Sequence, residues 1–524
     1  MPRSCADIFA DIPHVCIGAE DVQVAGIAYS SRDVRPGDAF FCIVGTVVDG
    51  HEFAQQAVDA GASVIVCERQ LYSLDLKGAT EVVVADSRRA LAEAAAVFYG
   101  QPSSDMDVVG VTGTNGKTTV TYLLEHLLQA CGHPCGIIGT CGSRAAGRPV
   151  PSSHTTPESA DLQRILSVMR DERCQAVAME VSSHALALGR AWATRFAVTA
   201  FTNITQDHLD YHHTFEEYFA AKKLLFSEAF PAIRVISTFG HAGAELAAER
   251  AAAGDDVITV GTGTEDAIRL LDVEREGALT RMRVSLAGLR AQDAAAAAAD
   301  GQDVPDALDE VALEHSLLGD YNTENVLVAL GCALALGVPA EAAAAAFATA
   351  SPPPGRMQRV DVAPDAGFMT FVDYAHTPDA LEKVIASARK ATDGRILLVF
   401  GCEGDRDRGK RAQMAAASLA ADVVFLTNDN AHGERVQDVL DQVKAAFPAE
   451  AFAGEAPQVR PDADRKRAIR AAVDEARAGD IVLICGRGHE DKMMFGRDTV
   501  LFDDVEEAAY ALLMRAVEEG AEAR

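Results

Sequence analysis

The chain is short of positive charge: 47 Lys and Arg stand against 77 Asp and Glu in 524 residues, a net charge of −30. A surface that acidic disfavours nucleic acid and anionic lipid as partners, so an anionic substrate has to be held by a focused local site. A long apolar run is also missing. The longest, residues 326–338, stops at Pro339 and falls short of the roughly 18 to 20 residues of a membrane span, so it reads as a buried helix and no membrane insertion is expected. No apolar segment precedes a small-residue cleavage site near the N-terminus, which predicts no signal peptide and a cytoplasmic protein. The eleven cysteines are scattered, and the one cluster, Cys131, Cys135 and Cys141, lacks the second CxxC or HxxxH half of a zinc site. Reduced thiols are expected instead. No tandem repeat is visible.

With 49% apolar and 24% charged residues, the chain has the profile of a water-soluble globular protein, and its length suggests three domains at roughly 150 residues each. Residues 1–105 alternate short apolar strands (39–44, 63–67, 81–85) with helical patterns (52–60, 90–99) and end in QPSSD, which has linker composition. A second series of strands and helices runs over 106–350. It is broken by SPPPG at 351–355, whose prolines cannot continue a helix. The third series, 351–524, has strands at 369–373, 396–400, 423–426 and 481–484, with helices starting at Pro378 and near Asp504. This alternation predicts an α/β protein with mostly parallel sheets covered on both faces. The Ala-rich stretch 291–306 reads as an exposed insertion without chemistry.

The most informative segment is VVGVTGTNGKTTVTYLLEHLL, residues 108–128. An apolar strand enters a Gly-rich turn and then an amphipathic helix. Gly113 and Gly116 let backbone N–H groups crowd around phosphate oxygens, with Thr114 and Asn115 between them. The helix N-terminus adds its dipole, Lys117 a point charge, and the Thr118 hydroxyl a ligand for Mg²⁺, followed by Thr119. The loop departs from the general GxxxxGK(S/T) pattern, whose first Gly would fall at Val111. A second apolar strand, AVAME, delivers Glu180 and then Ser182, Ser183 and His184 at its C-terminal end, where ligands bind in open α/β sheets. Thr214 and Glu217 form a capping box, so a helix starting near Phe215 carries Lys222 and Lys223.

Taken together, TGTNGKTT (112–119), TTP (155–157), SSH (182–184), DHLDYH (207–212), AAK (220–222), DYAHTPDALE (373–382) and GRGHE (486–490) resemble the Mur ligase family over nearly the whole chain. The resemblance implies a three-domain Mur ligase architecture: an N-terminal UDP-sugar-binding domain, a central P-loop ATPase domain and a Rossmann-like C-terminal amino-acid-binding domain. It implies an ATP-dependent ligase that joins a diamino acid to a UDP-MurNAc-dipeptide through an acyl phosphate, with a monomer expected. Lys117, Glu180, His208 and Lys222 are the implied catalytic residues. Thr118 and Glu180 would hold one Mg²⁺, and Glu180, His208 and a carbamylated Lys222 would organise a second. A lysine that loses its proton and adds CO₂ becomes a carboxylate, a hard donor suited to Mg²⁺. Asn322, Arg356, Asp373 and His376 would contact ATP once the third domain closes. Ser31, Thr46, Val47 and Val48 would face the UDP group. Thr155, Thr156, Ser182 and Arg190 would contact the dipeptide end, although Leu188 stands where many relatives have Gln.

For the incoming amine, the resemblance implies Arg406 of FGCEGDRDRGKR (with Glu403 in place of a Gly), Asp429, Asn430, His432, Gly486 and Glu490. Relatives that add meso-diaminopimelate usually show DNPR where this chain has Asp429, Asn430, Ala431 and His432. An imidazole is a poorer carboxylate partner than a guanidinium, so L-lysine or another diamino acid without a second carboxylate is favoured. Addition of meso-diaminopimelate is the alternative, with Arg435 or Arg487 restoring the charge. A folylpolyglutamate-type ligase would lack the TTP and DYAHTPDALE set. A P-loop nucleotide switch or motor would want NKxD or a hydrophobic strand ending in Asp-Glu, and neither is evident.

Overall fold

Runs of branched and aromatic residues become buried strands, and the chain builds three separate sheets in succession. The computed structural model describes residues 3–45, 48–152, 154–276, 279–292, 309–363, 366–453, 457–496 and 498–522. The expectation for 291–306 falls almost wholly outside them. The first sheet has the order His14–Ile17, Thr80–Val84, Val64–Cys67, Asp38–Phe41, Gly26–Ala28, parallel except for its first strand. The segment expected as a linker is a packed 3₁₀ turn, Pro102–Ser104, whose Ser103 hydroxyl accepts from the Arg195 N–H at 3.0 Å.

The second sheet is mixed, with six of its ten strand pairings parallel. Its parallel centre runs Cys135–Gly139, Ala176–Glu180, Asp107–Thr112, Val198–Phe201, Ile233–Ser237, Val257–Gly261, Ile268–Glu276. Antiparallel strands extend it on both sides, Gly142–Ala145 and Arg148–Val150 at one edge, Leu279–Ser285 and Glu310–His315 at the other. The signal for the far edge was in the sequence: Thr280, Met282 and Val284 are buried while Arg281 and Arg283 between them are exposed, the period of two of a half-covered strand. The apolar run 326–338 lies in helix Tyr321–Ala335, where Val326 to Leu330 are wholly buried. Among the described residues no helix is long and apolar enough to cross a membrane.

The third sheet has the order Gln358–Arg359, Met369–Asp373, Ile481–Cys485, Ile396–Phe400, Val423–Leu426, Gln458–Pro461, parallel except for its first strand. Beneath the ends of these strands lies a buried ion pair. Arg465 donates to both oxygens of Asp504 at 2.7 Å, and their side chains are 1% and 0% exposed. The same guanidinium donates to the carbonyls of Asn428 and Cys485, so it ties the last helix, Asp504–Glu522, to two strand ends that carry functional loops.

Contacts join the three units. Tyr29 donates to Asp161 at 2.6 Å, and the Glu158 carboxylate takes Arg88 at 3.2 Å and Arg190 at 3.5 Å. Across the second junction Asn115 donates to Asp379 at 3.2 Å, Arg356 to the Thr118 hydroxyl at 3.4 Å, and a ring nitrogen of His489 lies 3.1 Å from the Thr140 carbonyl.

Because removal of Asp504 leaves a guanidinium buried and unpaired, Asp504→Ala is expected to destabilise the third unit by about 3–5 kcal/mol, read from urea unfolding. Replacing Arg465 and Asp504 together by apolar residues of similar volume is expected to cost far less.

Candidate active site

The strand Asp107–Thr112 ends inside the second sheet, where the chain crosses to neighbours on either side, the position at which open α/β sheets bind ligands. Its loop needs glycine twice. Gly113 (φ 148°) and Gly116 (φ 89°) occupy backbone conformations that disfavour side chains. A Cβ at Gly113 would also strike the Thr202 hydroxyl, and one at Gly116 the Asn325 side chain. Helix Lys117–Ala130 follows at once, its first N–H groups facing the loop. Thr114 is fixed from behind: its hydroxyl lies 3.0 Å from the Tyr218 hydroxyl and accepts from the Thr205 N–H at 3.0 Å.

Two lysines meet under this loop. Lys117 Nζ donates to the Gly113 carbonyl at 2.8 Å, and Lys222 Nζ donates to the same oxygen at 2.7 Å. Lys222 is 1% exposed and lies over the Tyr218 ring at 4.5 Å. Half of the expected capping box is present: Thr214 accepts from the Glu217 N–H at 3.1 Å and opens helix Phe215–Lys223, which turns Lys222 inward, while the Thr214 N–H donates to the His212 carbonyl at 2.7 Å. Burial, and then the neighbouring Lys117 charge, hold the Lys222 amine well below the ordinary lysine range. Burial lowers Lys117 as well. Both causes favour the neutral form of the amine at position 222.

Glu180 ends the strand Ala176–Glu180 and is 1% exposed. Its carboxylate accepts from the Thr118 hydroxyl at 3.0 Å, the Thr140 N–H at 2.8 Å and the Thr140 hydroxyl at 3.0 Å. These donors are neutral, so a buried anion stands ready for a cation, and the donor set is hard oxygen of the kind Mg²⁺ prefers. His208 follows Asp207 in a left-handed turn (φ 54°), its ring 4.8 Å from that of His184. Among the described residues no three His, Cys, Asp or Glu side chains form a ready-made metal cage.

Between the second and third units lies a cleft of about 310 Å³ whose wall includes Thr114 to Thr119, Thr155, Glu180, Ser182, His208, Asn322, Arg356, Asp373 and His376. Lys222 is not in this wall; it lies behind the loop. Arg356 stacks on the Tyr374 ring at 4.6 Å. Asp373 accepts from the N–H groups of Met357 and Ala375 at 2.7 Å each, and burial raises its pKa. Asn322 is held by the Leu318 carbonyl at 2.7 Å.

A second cleft, of about 480 Å³, opens between the third sheet and the 206–209 loop. Asp207, His208, Tyr374, His376 and Thr377 belong to both walls, so the two clefts meet there. Its wall includes Arg406, Asp429, Gly486 and Glu490, all from loops at the C-terminal ends of third-sheet strands. Gly486 (φ 116°) admits Asp429 at a distance a Cβ would close to 2.7 Å. Asn430 donates to Glu490 at 2.8 Å and accepts from Arg487 at 3.0 Å. Burial and then Asp429 push the Glu490 carboxyl up to about 7.

Other residues singled out by sequence lie elsewhere. Ser31 donates to Gln56 at 2.9 Å, Val48 is exposed, and Thr46 and Val47 lie outside the described residues. Thr156 is 1% exposed and ties the site's backbone together, donating to the Glu180 carbonyl at 2.8 Å and accepting from the Ser182 N–H at 3.1 Å. Arg190 donates to the Thr156 carbonyl at 3.2 Å. His432 is not in the wall of the second cleft; its Nε2 lies 3.9 Å from Glu403. Arg435 faces out and pairs with Asp438 at 2.7 Å, and Arg487 is fully buried among carbonyls of Lys492 and Phe502. Arg435 stands outside the cleft wall, while the Arg487 charge reaches the wall through Asp429 and Glu490, whose carboxylates each lie 3.6 Å from it. Sequence reasoning passed over Thr140, Asp207, Tyr218, Asp379 and Lys410. Three of these, Asp207, Asp379 and Lys410, stand inside motifs already quoted.

Three family models match the chain: Mur ligase family, catalytic domain, over residues 23–99; Mur ligase middle domain over 111–333; and Mur ligase, glutamate ligase domain over 355–488. The chain belongs to the Mur ligase family and is an ATP-dependent acid–amino-acid ligase of peptidoglycan synthesis. Among its relatives, a protein of Geobacillus thermodenitrificans is 39% identical over 491 residues, 92% of this chain and 93% of its own length. A protein of Gloeobacter violaceus is 40% identical over 498 residues, 94% of this chain and 95% of its own. Both are named UDP-N-acetylmuramoyl-L-alanyl-D-glutamate--2,6-diaminopimelate ligase. A solved structure of the same name superposes with a TM-score of 0.65 at 28% identity, covering 98% of this chain and 100% of that one. These names carry diaminopimelate where the sequence favoured L-lysine, so they favour the alternative. The physical reason is local: the lysine expectation took position 432 to face the amino acid, whereas His432 stands outside the cleft wall.

Glu490 ionises as pH rises through about 7 and only then offers a charge to an ammonium group. The KM for the amino acid is therefore expected to fall as pH rises through this range, and Glu490→Gln to flatten that limb of the profile. Steady-state kinetics across pH check it.

Proposed function

We propose that this chain adds 2,6-diaminopimelate to the γ-carboxylate of the D-glutamyl residue of UDP-MurNAc-L-Ala-D-Glu. The observation that carries the reading is the meeting of two clefts at Asp207, His208, Tyr374, His376 and Thr377: one is walled by the phosphate loop, the other carries six carboxylates, of which Asp429 is buried. An amine in the second reaches an acyl phosphate formed in the first. The names of the relatives support the nucleotide dipeptide and diaminopimelate. We take 1–105 as the UDP-sugar domain, with Ser31 and residues 46–48 at the uracil end, 106–350 as the ATP domain and 351–524 as the amino-acid domain.

A carboxylate is a poor electrophile. The γ-phosphoryl group of ATP passes to it, giving an acyl phosphate; the neutral amine attacks the carbonyl carbon, and the tetrahedral intermediate expels phosphate. Loop N–H groups between Gly113 and Thr119 cradle the phosphates, and Lys117 turns its charge to them. Asn322, Arg356, Asp373 and His376 enclose the nucleotide from the third unit, while Thr155, Ser182 and Arg190 orient the dipeptide. Closure of the third unit keeps water from the acyl phosphate. Thr118 and Glu180 would hold one Mg²⁺, with Glu180, His208 and a carbamate on Lys222 organising a second. The metal supplies neutralisation between phosphates and carboxylate, two anions that otherwise repel each other. The carbamate forms when the Lys222 amine attacks CO₂ and loses a proton, giving N–COO⁻. The burial of this amine, which favours its neutral form, supports this. Arg406, Asp429 and Glu490 receive the amino acid, with Asn430 bracing Glu490 and His432 beside Glu403.

Two measurements test the reading. Phosphate release with ATP and the UDP-MurNAc-dipeptide is expected with meso-diaminopimelate and to be far weaker with L-lysine; a preference for lysine, or release without any amine, overturns it. Incubation with ¹³C-bicarbonate is expected to give one carbamate NMR resonance that is absent from Lys222→Ala.

A further inference from the structure

The Glu180 carboxylate is gripped from two sides. On one it accepts from the Thr118 hydroxyl at 3.0 Å, on the other from the N–H and hydroxyl of Thr140 at 2.8 and 3.0 Å. Thr140 stands in the two-residue turn between strands Cys135–Gly139 and Gly142–Ala145. The preceding residue has to be glycine, because a Cβ at Gly139 would strike the same carboxylate. The Thr140 hydroxyl also lies 3.2 Å from that of Thr155, so Thr140 stands between the metal-binding carboxylate and the dipeptide end of the cleft.

The third unit reaches both threonines. Arg356 donates to the Thr118 hydroxyl at 3.4 Å, and Nε2 of His489 lies 3.1 Å from the Thr140 carbonyl. A carbonyl only accepts, so Nε2 carries the proton. Burial holds the ring neutral, its pKa pushed down to about 4. The ring packs against that of Tyr374 at 5.2 Å, and the His489 backbone is seated on Gly355, where a Cβ would strike it. Arg356 comes next in the chain, so one seat carries both contacts. His489 is also the chain neighbour of Glu490, which lies in the wall of the amine cleft. The loop 486–490 therefore faces the amine with one residue and the second unit with the one before it.

We infer that His489 is a positioning residue: by holding the Thr140 carbonyl it keeps the two Thr140 donors on Glu180, and so ties the alignment of that carboxylate to closure of the amine-binding unit. When the third unit swings away, a two-residue turn loses one of its anchors and Glu180 loses its fixed partner. Phosphoryl transfer then waits for the unit that brings the amine, which limits the acyl phosphate that water could consume. The inference rests on the ligation reading above for the part Glu180 plays.

The test uses the full-length enzyme and two variants. His489→Phe keeps a ring against Tyr374 and removes the donor, while His489→Gln keeps an N–H donor. With Mg²⁺ and a non-hydrolysable ATP analogue bound, hydrogen exchange at the Thr140 N–H is expected to be about tenfold faster in His489→Phe, the worth of one hydrogen bond, and near native in His489→Gln. In steady-state kinetics kcat for phosphate release is expected to fall by a similar factor in His489→Phe, with KM for diaminopimelate unchanged, and to recover in His489→Gln. Native exchange at Thr140 in His489→Phe overturns the inference. So does faster exchange in both variants, or a rise that extends through the strands of the third sheet, since either marks a general loosening. Exchange needs no turnover. If the native enzyme releases no phosphate with any diamino acid, it is the ligation reading that fails, and exchange still decides whether His489 holds Thr140.

Discussion

Two amines converge on one carbonyl oxygen, and the site is built around that crowding. Lys117 and Lys222 both point at the Gly113 carbonyl, at 2.8 and 2.7 Å, the first from the wall of the nucleotide cleft and the second from full burial. Two ammonium charges at that spacing repel, which favours the neutral form of the more buried amine. Lys117 keeps a negative neighbour in Glu180, which works against its burial. Lys222 has burial and Lys117 against it, and only the charge of Asp207 in its favour. The Gly-rich loop thus also favours the neutral form of a buried amine. Tyr218 connects the two roles, its hydroxyl on Thr114 of the loop and its ring under Lys222.

The remaining charges follow from the same scarcity of cations. In a chain of net charge −30, the positive groups around the reaction are few, and most are fixed. Arg356 bridges the units by stacking on Tyr374 while reaching Thr118. Arg487 and Arg465 are spent inside the third unit, where they hold Asn430 and the ends of two strands in register. Acidic groups outnumber basic ones in the amine cleft, which fits a ligand that arrives with more than one ammonium.

Much of this was readable in the chain because it is written contiguously. The phosphate loop needs glycine at two positive-φ positions, and a strand, loop, Lys-Thr and helix in order leave few other readings. The third-sheet strands 369–373, 396–400 and 423–426 are continuous apolar runs bounded by polar loops, and the structure has them at those limits. What escaped was relational. The bond from Lys222 to Gly113 spans 109 positions, and no local pattern announces it. The edge strands 279–285 and 310–315 alternate visibly, but a search for buried parallel strands passes over half-exposed ones. His432 misled for a similar reason: a motif gives the identity of a residue but not the direction its side chain takes, and here a left-handed backbone (φ 48°) sets that direction. Thr156 hides the opposite case, a residue expected at a ligand whose hydroxyl braces the strand end beside Glu180.

The phosphate loop and Glu180 hang from the second sheet, while the loops that meet the amine (401–411, 428–432 and 486–490) all hang from the third. The two sets touch only at a narrow seam. Such a division makes the molecule easy to repurpose: changes in three loops of the third unit can alter which amine is accepted while the apparatus that handles ATP is inherited untouched. Diversity of product and constancy of energy source then have separate addresses in one polypeptide.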